Sequence, residues 1–188
     1  MDRKIIRLEK VGEVLLERSI RARRIHLTVR PGGRIRVAVP RGIPFELAAQ
    51  FAHSKSEWIR DRQQELLETV RKAELLCAVP INLPKARRRL QERLAALAAR
   101  HGFLYRRVSI RNQRTRWGTC SMRNNISLNI NLVRLPSELM DYVLLHELVH
   151  TRIKNHGPQF WSELERHLPK CRELDRGLDD YRGLLGRL

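Results

Sequence analysis

The residues best equipped for chemistry lie together toward the C-terminal end: His146-Glu147-Leu148-Val149-His150, followed by His156. Two imidazoles and a carboxylate within five residues form a metal-ligand set with a general base beside it, the pattern of a metal-dependent hydrolase. That pattern works only on a helix. At about 100° and 1.5 Å per residue, His146 and His150 share a face roughly 6 Å apart, so two ring nitrogens can reach one ion at about 2.0–2.1 Å. Glu147 sits roughly 100° round from His146, poorly placed as a ligand but near enough to hold a water at the ion.

His156 has to arrive by another route. Past His150 an unbroken helix would rotate it by about 240° and carry it about 9 Å along the axis. The helix must therefore stop and the chain must return. Asn155, read as a left-handed residue after the helix end, and Gly157-Pro158 supply that stop. Two plainer readings stand beside this one: a solvated helix with two satisfied histidines, and a structural zinc. A structural site closes with four protein ligands. Here three histidines are in view, and Cys120 and Cys171 are not spaced as a pair. Three ligands leave one position open, which is the catalytic arrangement.

The elements that must position these residues are legible in the spacing of apolar side chains. Residues 13–20, 25–29 and 35–39 read as strands, the last two forming a hairpin about Arg30-Pro-Gly-Gly-Arg34. Leu47, Phe51, Trp58, Ile59, Leu66 and Val70 predict one long helix from about Phe45 to Leu76, with Trp58 in the core. A second helix is expected near Lys85–Arg100, stopped by His101-Gly102, with Arg87-Arg88-Arg89 on a solvated face. Strands follow at about 105–111, 116–121 and 125–133. The last places Ile126, Leu128, Ile130 and Leu132 on one face, with Ser127, Asn129 and Asn131 toward solvent on the other. Pro136 opens the helix that carries the histidines, and a final amphipathic helix runs from about Cys171 to Leu185. The expected class is α+β. An N-terminal hairpin and long helix (1–80) precede a catalytic region (81–188), or the two are continuous. In that region a small, mostly antiparallel sheet packs on the metal-binding helix.

Composition narrows the setting. Among 188 residues, 42% hydrophobic content is enough for a core. The three cysteines, Cys77, Cys120 and Cys171, are odd in number and far apart, which argues for a reducing compartment and a cytoplasmic location. The first residues lack the apolar run of a secretory leader, and no stretch approaches a membrane span. Thirty-eight basic against 20 acidic residues give a net charge of +18. Nine arginines, Arg93 included, lie before Ser137 with no acid among them. Such a field attracts polyanions, so non-specific nucleic-acid binding through the basic surface is one expectation; a generic basic surface is the other.

Several stretches together resemble the YgjP-like zinc metallopeptidases, relatives of SprT-like proteases. They are Arg114-Thr-Arg-Trp-Gly-Thr-Cys-Ser121, Ile126-Ser-Leu-Asn129, Leu135-Pro136, Asp141-Tyr-Val-Leu-Leu-His-Glu-Leu-Val-His150, Asn155-His156 and Phe160-Trp161. The resemblance implies one zinc ion bound by His146, His150 and His156, Glu147 as general base, and a sheet edge along the cleft above the metal helix. The chain departs from the usual pattern at Thr119, Val149 and Gly157, none of them a ligand position.

Three functions follow for comparison. The first is a zinc peptidase in which Glu147 takes a proton from water and returns it to the leaving amine. Arg114, Arg116 and Tyr142 are candidates to steady the oxyanion, and the strand at 126–133 is a candidate edge for a peptide to pair with. The second is hydrolysis of nucleoside triphosphates at the same metal, with Arg114 and Arg116 gripping phosphate. The third is an SprT-like protease acting on DNA-bound protein.

Overall fold

A computed structural model describes residues 2–30 and 32–187. By internal contacts the chain divides into two compact units, Met1–Val70 and Arg71–Leu188. Among the described residues, no helix is long and apolar enough to cross a membrane.

The first unit holds a four-stranded sheet. Its strands are β1 (Arg3–Leu8), β2 (Gly12–Arg18), β3 (His26–Val29) and β4 (Ile35–Val39), in the order β1-β2-β4-β3. The β1–β2 and β3–β4 pairs are antiparallel; β2 and β4 run parallel. The expected hairpin at 30–34 forms: Arg30 N–H donates to the Arg34 carbonyl at 2.8 Å, and Gly32 and Gly33 take φ of 82° and 73°. Its Pro31 lies outside the described residues. Sequence patterning had not singled out β1, whose first four residues are largely open to solvent and show no clean apolar alternation.

The long helix expected over 45–76 is two helices, α1 (Phe45–Ser54) and α2 (Ser56–Cys77), with a break at Lys55. The flanking serines explain it. Ser54 Oγ donates to the Phe51 carbonyl at 2.9 Å and Ser56 Oγ to that of His53 at 2.6 Å, competing with the helical ladder. The break also redirects the apolar face. Ile59 is fully buried with Val14, Val37 and Ala52, whereas Trp58, expected in the core, is 49% exposed.

The second unit begins with the end of α2 and continues with α3 (Leu83–His101), β5 (Arg107–Arg111), β6 (Gly118–Cys120) and β7 (Asn125–Asn129). After a 3-10 turn (Ile130–Arg134) come α4 (Ser137–Val149), α5 (Pro158–His167), α6 (Cys171–Gly177) and a 3-10 segment (Leu178–Leu184). Helix α3 is bounded as its sequence requires: Asn82 Oδ1 accepts from Lys85 N–H at 3.0 Å, and Gly102 ends it at φ 67°. The final helix expected to Leu185 tightens instead into 3-10 geometry just past Gly177, a poor helix former.

The sheet order is β5-β7-β6. Instead of being mostly antiparallel, the sheet is mixed, because β6 forms a hairpin with β7 on one side while β5 lies parallel to β7 on the other. Two further expectations change with it. The strand at 126–133 is the centre of the sheet and not its edge; β5 and β6 are the two edges. It also ends at Asn129, whose side chain accepts from Asn131 N–H at 3.1 Å and turns the chain into the 3-10 geometry. Asn129 and Asn131 are therefore fully buried, contrary to the solvent-facing reading. Asn129 donates to the carbonyls of Gln113 (2.8 Å) and Arg116 (3.0 Å), and Asn131 to those of Leu184 (3.0 Å) and Arg187 (2.5 Å). These bonds satisfy groups whose burial would otherwise be costly, and they tie the 112–117 loop and the C-terminal segment to the sheet.

Helix α4 runs through the core. Nine of its residues are buried, among them Tyr142, Leu144, Glu147 and Leu148, so it is enclosed on nearly every side. Truncating a residue such as Leu148 to alanine costs about 2–5 kcal/mol. The histidines of α4 thus stand on a rigid support.

Candidate metal centre

The three histidines converge through the same ring atom. His146 Nε2 lies 3.2 Å from His150 Nε2 and 3.0 Å from His156 Nε2; the His150–His156 separation is 3.0 Å. Nitrogens bound to one tetrahedral ion at about 2.0–2.1 Å would be about 3.3 Å apart. Among the described residues this is the cluster able to hold a metal ion.

His156 arrives by a route different from the expected one. Non-glycine residues with positive φ are Lys10 and Asn124 among the described residues, so Asn155 is not left-handed. The helix end closes by tightening: Thr151 and Arg152 N–H donate to the Leu148 and Val149 carbonyls, both at 2.9 Å. The return loop is then pinned by Lys154, which donates to Asn124 Oδ1 at 2.6 Å and to the Ser121 carbonyl at 2.9 Å. Phe160 of α5 forms the floor: fully buried, it stacks on His150 with centroids 4.5 Å apart and meets His146 and His156 at 4.8 Å. From sequence, Phe160 enters only among the stretches that resemble the family, with no such contact assigned to it.

The hydrogen bonds fix tautomers. His150 Nδ1 lies 2.9 Å from the Ile153 carbonyl, which can only accept, so the hydrogen is on Nδ1. Burial, with neighbouring positive groups, lowers the pKa of His150 and favours the neutral ring. Its Nε2 therefore presents a lone pair to the cluster. Burial, assisted by His150 and His156, holds His146 down to about 3. Neutral imidazoles facing one another nitrogen to nitrogen cannot satisfy every lone pair among themselves; a shared cation can. The donor set fits a borderline metal such as zinc.

Glu147 is 5% exposed, and its Oε2 has no hydrogen-bond partner among the described residues. Burial raises its carboxyl to about 8, with the Arg116 guanidinium pulling the other way. Gly118 of β6 clears its space. A Cβ at that position would stand 2.6 Å from Glu147 Oε1 and 2.7 Å from its Cγ. Sequence reading included Gly118 in a motif but assigned it no role; a requirement for empty space has no residue pattern of its own.

The cleft beside Glu147 has a volume of about 350 Å³ and is lined in part by Arg116, Gly118, Tyr142, His146 and Asp175. Arg116 thus reaches the cleft. Arg114 is not among its lining residues and packs against Gly186. Tyr142 is buried and donates to Asp175 Oδ1 at 2.7 Å; burial and that acceptor push its phenol well above the usual range.

The model of the YgjP-like family, described as a metallopeptidase domain, matches residues 82–181, more than half the chain. This chain belongs to the YgjP-like metallopeptidase family. None of the curated proteins matches it. Two solved structures of archaeal metallopeptidase zymogens are similar to part of it. One is abylysin of Pyrococcus abyssi, 27% identical over 48% of this chain and 92% of its own, with a TM-score of 0.43. The other is jannalysin of Methanocaldococcus jannaschii, 24% identical over 48% of this chain and 93% of its own, also with a TM-score of 0.43. Family membership makes the chain a metal-dependent hydrolase and the histidine cluster its candidate metal centre.

Proposed function

We propose that this chain is a zinc peptidase in which His146, His150 and His156 hold one ion and Glu147 is the general base. The observation that carries the reading is the convergence of three Nε2 atoms beside a buried carboxylate with one unpartnered oxygen. Zinc held there supplies a Lewis acid for the scissile carbonyl and acidifies water toward a pKa of ~7. Glu147, which burial alone would hold neutral, would be drawn to its charged form by a cation held at the three histidines. The Glu147 carboxylate accepts a proton from the attacking water and returns it to the leaving amine. The outer edge of β6, next to Glu147, offers backbone groups to an extended peptide. Arg116 stands at the cleft where a guanidinium can steady negative charge on the carbonyl oxygen.

The nucleotide reading depends on the arginine-rich segment before Ser137, and two of its nine arginines have structural partners. Arg93 pairs bidentately with Asp141 at 2.7 and 2.5 Å, and Arg134 donates to the carbonyls of Leu76 and Val79. This weakens the case for a phosphate-gripping array and favours the peptide.

The test is cleavage of an unfolded protein by the zinc-loaded chain, run beside a nucleotide panel. Peptide fragments that disappear on chelation and return with zinc support the reading. Phosphate or pyrophosphate release without peptide cleavage would assign the phosphoanhydride chemistry instead.

A further inference from the structure

The second nitrogen of each metal-binding imidazole decides which nitrogen offers a lone pair. For His150 the partner is a backbone carbonyl, fixed by the chain itself. For His146 the partner is a side chain, held in turn by another. Tyr142 Oη lies 3.4 Å from His146 Nδ1 and 2.7 Å from Asp175 Oδ1. The direction follows from valence. A carboxylate only accepts, so the phenol hydrogen points to Asp175, and the remaining lone pairs of Oη accept from His146 Nδ1–H. The hydrogen on Nδ1 leaves the Nε2 lone pair facing His150 and His156.

Sequence distance makes the arrangement informative. Tyr142 lies one helical turn before His146 on α4, whereas Asp175 comes from α6. For packing alone phenylalanine would serve at 142, since the side chain is 1% exposed. A buried hydroxyl is costly unless bonded, and here it is bonded toward the metal ligand on one side and a carboxylate on the other.

We propose that Tyr142 and Asp175 are positioning residues that lock His146 in its metal-binding tautomer, so that metal affinity depends on α6. The inference rests on the zinc peptidase reading above. Removing outer partners of metal-binding histidines typically weakens metal binding 10–100-fold. Tyr142→Phe deletes the acceptor of His146 Nδ1–H outright. Asp175→Asn is subtler: its amide can present N–H to Oη, turning the phenol hydrogen toward His146 and favouring the wrong tautomer. Because both residues act through one chain of bonds, their effects will not multiply.

The experiment is a zinc competition titration against a chromophoric chelator on the full chain, with the cobalt(II) absorption spectrum recorded in parallel. Wild type, Tyr142→Phe, Asp175→Asn and the double variant are compared. The expected result is one ion per chain throughout, a dissociation constant raised roughly 10–100-fold in Tyr142→Phe, a smaller rise in Asp175→Asn, an altered cobalt band in both, and a double variant no weaker than Tyr142→Phe. If Tyr142→Phe does not fold, Asp175→Asn carries the test, since Asp175 is exposed. Wild-type affinity and spectrum in the variants, or losses that multiply in the double variant, overturn the inference alone. A wild-type chain that binds no zinc overturns the peptidase reading and this inference with it.

Discussion

Glu17 and Glu147 are both withdrawn from solvent, at 8% and 5% exposed, yet the chain treats them in opposite ways. Glu17, in the first unit, is clamped by two arginines: Arg3 Nε donates to Oε1 at 2.7 Å and Arg36 Nε to Oε2 at 2.6 Å. The Arg36 hydrogen bond is the largest cause of its lowered pKa; Arg3 adds to it and desolvation opposes it. Glu147, in the second unit, has one oxygen without a partner among the described residues and a carboxyl raised to about 8 by burial. A satisfied carboxylate contributes to structure. An unsatisfied one lowers stability unless something external completes it, and such groups concentrate where chemistry is done.

Glu147→Gln breaks the comparison most sharply. Peptide cleavage falls by at least about 10²–10⁴-fold, the scale of lost acid–base catalysis, while zinc binds as before. Cleavage by the zinc-loaded variant at the wild-type rate would remove Glu147 from the reaction. Gly118→Ala comes next. The added methyl meets the Glu147 carboxyl at 2.6–2.8 Å, so the side chain must shift. Displacement of about 1 Å can cost about 10²-fold in rate, and overpacking costs about 1–3 kcal/mol, measurable by urea unfolding. An unchanged rate would show that Glu147 need not be held where it is.

Zinc itself gives a third effect. At about 100 times its dissociation constant it stabilises the chain by about 2.7 kcal/mol, read as a chelator-reversible rise in melting temperature. Glu17→Gln should leave that increment intact, because the clamp plays no part in the metal centre.

The smallest effect distinguishes the two carboxylates by sign. A lowered pKa means that Glu17 contributes stability above the unfolded-state value of about 4.3, and the contribution is lost as pH falls through the lower folded value. Glu17→Gln is therefore less stable than wild type at pH 7, with a gap that closes below about pH 4. In chelator-treated protein Glu147 does the reverse. Its raised folded pKa makes wild type lose stability as pH rises from about 4.3 toward 8, so Glu147→Gln gains on wild type across that window. Denaturation midpoints from pH 3 to 9 check both; two gaps of the same sign would end the contrast.

The candidate histidine cluster was legible in sequence because helical geometry converts spacing into direction. His146 and His150 follow from 3.6 residues per turn, and the need for a break before His156 follows from the same number. How the return loop is held after the break was not legible. It depends on Lys154 reaching Asn124 and Ser121, contacts across 30 and 33 residues. Burial of Asn129 and Asn131 was hidden for a related reason: alternation reports which face is polar, but not whether carbonyls from 112–117 and the C-terminal segment come to meet it. The break at Lys55 reflects local serine bonding that apolar periodicity ignores. Nor does any pattern record the emptiness at Gly118 that admits Glu147.

Diffraction at the zinc absorption edge, from crystals grown with zinc, tests the metal centre most directly. The expected map has one anomalous peak within bonding distance of the Nε2 atoms of His146, His150 and His156, with Glu147 beyond bonding distance and solvent at the remaining position. A peak ligated by Glu147, a fourth protein ligand closing the ion, or His156 turned away from it would contradict the assignment.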